Sequence, residues 1–128
     1  RNHICRAALE ATAFQANDIF DAIEADSHIK IRELKVDGGL TNSEPLMKFQ
    51  ADILGIPVIR PQVIETTALG AAYAAGLSVG MFDSMNELSS HWREEKRWEP
   101  TMSEETREAK VKFWNKAVSR TLNWTEEN

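Results

Sequence analysis

The stretch Asp37-Gly38-Gly39-Leu40-Thr41-Asn42-Ser43 brings a carboxylate, two adjacent glycines, an amide and two hydroxyls into seven positions. It follows the apolar run Leu34-Lys35-Val36 and precedes Pro45-Leu46-Met47. That order reads as a buried strand, a sharp turn and a helix start. Glycine lacks a Cβ, so a backbone can adopt unusual dihedrals there and approach a ligand closely. The first amides of a following helix have no intrahelical partner and lie at the positive end of its dipole. Such a turn suits a phosphate or the phosphate end of a nucleotide. Gly-Gly also serves tight geometry alone, and on these residues both readings stand. Asp37 has two readings as well: a Mg²⁺ ligand through water, or a turn-capping acid bonded to nearby amides. The second is favoured.

Little else in the chain has the residues for chemistry. His3, His28 and His91 are far apart and lack ligand spacing, so no metal site is expected. Cys5 is the only cysteine, which rules out an internal disulfide and favours a reducing compartment. The formal net charge is −5 and no basic patch is present, which argues against a nucleic-acid partner. The mixed run Arg93-Glu94-Glu95-Lys96-Arg97 reads as a solvated face. No apolar run is long enough to span a membrane, and the N-terminus has no signal-peptide pattern. The chain starts at Arg1 directly in helical sequence, which suggests a piece of a longer protein.

At 128 residues, 42% of them hydrophobic, the chain is long enough for one domain with a core. Several elements are needed to position the glycine turn. Residues 3–25 keep helical spacing through Ile4, Ala8, Ala11, Ile19, Ala22 and Ile23, with Asn2 as a cap and Gln15 as a hydrogen-bonded core amide. Ile31 to Asp37 reads as a strand. Asn42 to Leu54 reads as a helix capped by Ser43 or Asn42, with Pro45 in its first turn and Gly55 at its end. Pro57 to Pro61 is a short proline-bounded strand. Glu65 to Met81 is a helix with one face of Leu69, Ala72, Tyr73, Gly76 and Leu77. Its second face is of small residues: Gly70, Ala71, Ala74 and Ala75.

Residues 82–100 read as an irregular connection with Trp92 and Trp98 as anchors. Thr101 to Glu104 has capping-box spacing, and a closing helix runs to Trp124 with a core stripe of Phe113, Trp114, Ala117, Val118, Thr121 and Leu122. The domain scheme is therefore an αβαβα core at 1–81, a connection at 82–100 and a C-terminal helix at 101–128. Alternating strands and helices imply parallel pairing. Two strands are too few for a covered parallel sheet, so further strands are expected upstream of Arg1.

Three segments together resemble the FGGY carbohydrate kinases, most of all the C-terminal part of the glycerol kinases. They are Val36-Asp37-Gly38-Gly39 with Leu46 to Leu54, then Pro57 to Pro61 with Glu65 to Gly76, then Phe113 to Val118 with Trp124. The resemblance implies an α/β fold, part of the ribonuclease H-like domain of the actin, Hsp70 and sugar kinase group, with its sheet incomplete. It implies transfer of the γ-phosphoryl of Mg·ATP to glycerol in the cytoplasm, with ATP and Mg²⁺ as cofactors. It places Gly38 and Gly39 at the nucleotide, Gly39 through its backbone.

The family usually has Asn four residues after the second glycine, near the adenosine. Ser43 stands there, one residue after Asn42, so the contact is kept by either residue or lost. Catalytic and glycerol-binding residues of the family have no counterpart here. The piece is expected to be inactive alone, to need the remainder of a kinase chain, and to pair through an open strand edge. Two alternatives remain: another FGGY kinase acting on xylulose or gluconate, and a non-catalytic kinase-like interaction domain.

Overall fold

A computed structural model describes residues 1–123. In chain order the elements are α1 (Asn2–Ser27), β1 (Leu34–Lys35), a 3-10 turn (Gly39–Asn42), α2 (Glu44–Leu54), β2 (Val58–Pro61), α3 (Thr66–Ser78), α4 (Met85–Ser90), β3 (Glu94–Trp98) and α5 (Glu104–Ser119). The expected α/β order is present, and α4 and β3 are additional.

The sheet runs β1-β2-β3. β1 is parallel to β2, with Leu34 opposite Val58 and Lys35 opposite Ile59. β3 is antiparallel to β2, pairing Val58 with Trp98, Arg60 with Lys96 and Pro61 with Glu94. The register steps between Arg60 and Pro61 and leaves Glu95 as the extra residue of a bulge. Pro61 sits at the end of β2, where its missing amide removes little from the ladder.

The core lies between α2 and the sheet. Leu46, Met47 and Ala51 of α2 pack with Val58 and Trp98, and Leu34 and Val36 close the cluster. This follows from sequence: Leu46, Met47, Gln50, Ala51 and Ile53 keep one face of α2 inward. Gly55 ends α2 in the left-handed region at φ 67°, and its amide donates to Ala51 O. α1 lies on α2 through Phe14, whose ring meets Phe49 edge-on at 5.6 Å and stacks on Trp114 of α5 at 5.2 Å. Asp52 ties the far end together. Its Oδ1 accepts from Thr101 N at 2.6 Å, Met102 N at 2.9 Å and Thr101 Oγ1 at 3.2 Å.

Several expectations are corrected. The strand expected over Ile31 to Asp37 is regular only at Leu34–Lys35, although Val36 N still donates to Ile59 O at 2.9 Å. The segment 82–100 holds α4 and β3 instead of an irregular connection, because backbone pairing to β2 makes the charged run a strand. The third helix spans Thr66–Ser78, short of Glu65 to Met81. Arg1, not Asn2, occupies the α1 cap position, and Gln15 is exposed. The buried amide of the chain is Gln50 instead.

The cap of α5 is Ser103, whose Oγ accepts from Thr106 N, since Thr101 is held by Asp52. The α5 stripe is not core. Phe113 is exposed, α5 has no buried residue, and only Trp114 finds a partner cluster. The small-residue face of α3 is exposed at Gly70, Ala71, Ala74 and Ala75. Trp124 lies outside the described residues.

Candidate functional site: the turn after the first strand

Gly38, Gly39, Asn42 and Ser43 fall in one continuous turn at the C-terminal end of a parallel strand. Ligands of open α/β sheets bind at that end of the strands. Gly38 has φ +81° and ψ 174°, a conformation closed to residues with a Cβ. Its amide donates at 2.9 Å to Ile64 O, in the connection between β2 and α3. Its carbonyl accepts from Thr41 N at 3.1 Å and Thr41 Oγ1 at 2.7 Å. Thr41 is buried and so fixes the turn from inside.

Gly39 has an ordinary φ. A Cβ built on either glycine would meet nothing within 4 Å. The outer side of the turn is thus open, with Gly39 and Leu40 at its head, where a helix leaves amides unpartnered.

Asn42 closes the 3-10 turn and does not start α2. Its Oδ1 accepts from Arg60 Nη1 at 3.0 Å, which commits the carbonyl of an otherwise exposed residue. Ser43 is the cap position of α2 with extended backbone, φ −81° and ψ 95°, yet its hydroxyl makes no capping hydrogen bond. Its carbonyl accepts from Met47 N at 3.0 Å. Of the two candidates for the adenosine side, Ser43 has the side chain that the fold leaves unused. Asp37 Oδ2 accepts from the Thr66 hydroxyl at the start of α3, a long-range tie in place of the expected bonds to amides of its own turn.

Sequence reading missed the supports of this turn. Arg60 on β2 reaches Thr41 O at 2.9 Å, Asn42 Oδ1 at 3.0 Å and Glu95 Oε2 at 2.8 Å. Glu44, next to Ser43, accepts from Trp98 Nε1 at 2.8 Å and Lys96 Nζ at 2.7 Å. The Lys96 bond and then the Trp98 bond hold the Glu44 carboxyl below the usual carboxylate range. An arginine inside the apolar strand Val58-Ile59-Arg60 was the available signal.

A separate apolar hollow of about 570 Å³ lies between β2, α3 and α4, lined by Leu69, Tyr73, Leu77, Leu88 and Trp92; none of residues 38–43 borders it. Among the described residues no three His, Cys, Asp or Glu side chains converge to hold a metal. Among the described residues no helix is long and apolar enough to cross a membrane.

An open glycine turn at the end of a parallel strand, flanked by helices, makes this a member of the α/β class with its candidate site at the strand ends. Residues 1–79 match the FGGY family of carbohydrate kinases, C-terminal domain, and the chain belongs to that family. Over all 128 residues it is 59% identical to the glycerol kinase of Renibacterium salmoninarum and 57% identical to that of Pseudarthrobacter chlorophenolicus. It spans 25% of the length of each.

Among solved structures, Plasmodium falciparum glycerol kinase with ADP matches 94% of the chain at 40% identity and TM-score 0.82, the match covering 24% of that protein. The xylulose kinase of Rhodospirillum rubrum matches 93% of the chain at 22% identity and TM-score 0.76, covering 24% of that protein, which shows the shared fold. The fold is thus the ribonuclease H-like α/β fold of the actin, Hsp70 and sugar kinase group, represented by a small, incomplete sheet.

Proposed function

We propose that the chain is a segment of a glycerol kinase, an enzyme that transfers the γ-phosphoryl of Mg·ATP to glycerol and yields glycerol 3-phosphate. In this reading the turn 38–43 is part of the wall that receives ATP or ADP. One observation carries the proposal. The relative solved with ADP shares 40% identity and a TM-score of 0.82 over 94% of this chain. The open Gly38-Gly39 turn is the feature of the segment suited to a nucleotide. Glycerol is preferred as acceptor over xylulose, since identity is 59% to a glycerol kinase and 22% to a xylulose kinase.

Within this reading each residue has a limited task. Gly38 bends the chain, Gly39 lets backbone meet the nucleotide, and Ser43 offers a hydroxyl on the adenosine side, next to Asn42. Mg²⁺ accompanies the nucleotide phosphates and would offset their charge. Phosphoryl transfer rests on positioning and charge stabilisation. The catalytic carboxylate and the glycerol-binding residues are assigned to the remainder of the kinase chain. The domain scheme becomes one lobe segment over 1–128, and the protein is placed in the cytoplasm, where ATP is abundant and Cys5 stays reduced.

A kinase assay tests this. The full-length chain phosphorylates glycerol in preference to xylulose or gluconate, and residues 1–128 alone show no turnover, since positioning supplies about 7–11 kcal/mol of such a barrier. Preference for a pentulose, or turnover by the isolated segment, contradicts the proposal.

A further inference from the structure

We infer that Arg60 is a positioning residue for the nucleotide, acting through Thr41 and Asn42 of the turn, and that the β3 bulge locks it in place. The inference rests on the reading of turn 38–43 as a nucleotide wall. The Arg60 side chain is only 13% exposed, and a charge so nearly buried needs partners. It has three. Nη1 donates to Thr41 O at 2.9 Å and Asn42 Oδ1 at 3.0 Å, and Nε donates to Glu95 Oε2 at 2.8 Å. A planar guanidinium spans both sides at once, which a single ammonium does not.

Glu95 is the extra residue where the β2–β3 register steps, and a bulge re-aims the side chain it carries. The guanidinium also lies 5.7 Å from the centre of the Trp98 ring. Trp98 and Lys96 in turn hold Glu44. The residues on both sides of Ser43 are therefore pinned to β2 and β3, Asn42 by Arg60 and Glu44 by Trp98 and Lys96. Gly39, Leu40 and Asn42 are themselves exposed, so the turn takes its shape from this support. A binding turn holds its geometry when rigid elements and their hydrogen bonds brace it.

The test uses the full-length kinase with three variants: Arg60→Lys, Glu95→Ala and, as a reference, Gly39→Val. Arg60→Lys raises KM for ATP and Kd for ADP roughly three- to tenfold, and Glu95→Ala raises them by less. KM for glycerol stays at the wild-type value in both. Glu95 is a surface residue, so Glu95→Ala decides the matter if Arg60→Lys fails to fold. A role in folding alone would instead lower the melting temperature and move both KM values or kcat together, and that result overturns the inference. So does an unchanged KM for ATP in Arg60→Lys and Glu95→Ala while Gly39→Val raises it. If Gly39→Val also leaves ADP affinity unchanged, the nucleotide wall itself is wrong and the inference falls with it.

Discussion

Gly38 and Ser43 mark the two ends of the candidate site, and each is explained by its own backbone. Gly38 must be glycine because φ is +81°, a requirement visible in the residue type itself. Ser43 keeps its hydroxyl uncommitted although it occupies a cap position, where serine usually bonds an amide two or three residues on. Glu44 makes a testable pH prediction at this scale. Its carboxyl is held below the ordinary value of 4.5, first by Lys96 and then by the Trp98 N–H.

A carboxylate with a depressed folded pKa contributes stability above its unfolded pKa and loses it as pH falls through the folded one. Glu44→Gln therefore lowers the melting temperature at neutral pH. The gap to wild type narrows as pH drops below 4.5. A gap that stays constant from neutral pH to well below that value contradicts the role given to the carboxylate. The group is fully exposed, so the effect is small.

Elements were legible where pattern and packing agree. α2 shows its proline start and its glycine stop in sequence, and both hold. β1 was legible only in part: its regular pairing stops at Lys35, three residues before the glycine pair. β3 was not legible. Glu94, Glu95, Lys96 and Arg97 are all exposed and carry no apolar alternation, and only Trp98 is buried. The strand exists because its backbone pairs with β2, a long-range fact that composition does not encode. Arg60 was missed for the same reason, since its partners lie 18 and 35 residues away in sequence. The α5 pattern correctly gave a helix but not a core, because periodicity shows an apolar stripe and not what covers it.

The link between α2 and the start of α5 gives a second prediction. Asp52 Oδ1 takes three hydrogen bonds from Thr101 and Met102, and Asp52 is buried. Asp52→Ala leaves two backbone amides without that partner and destabilises the fold by about 2–3 kcal/mol in urea unfolding. A loss below about 0.5 kcal/mol would show that the link is dispensable.

On the scale of the whole molecule, the described sheet has β1 at one edge and β3 at the other. β3 carries Glu94, Glu95, Lys96 and Arg97, charges that protect an edge from pairing. β1 has no such run, and exposed apolar side chains on α1 and α5, among them Ile4, Ile19 and Phe113, add further uncovered surface. The isolated 128-residue chain is therefore expected to self-associate through the β1 edge. Sedimentation velocity across a concentration series checks this; a monomer at every concentration speaks against it.

At the same scale the fold was readable from three sequence segments that resemble one family. What that resemblance left open was the choice between Asn42 and Ser43. In the fold the Asn42 carbonyl is bonded to Arg60, while the Ser43 hydroxyl makes no capping bond.

Hydrogen exchange by mass spectrometry on the full-length kinase, with and without ADP, tests the nucleotide wall most directly. Peptides covering 38–43 should become protected when ADP is added, while peptides covering Glu104–Ser119 of α5 should exchange as before. Unchanged exchange at 38–43 under saturating ADP would contradict the account.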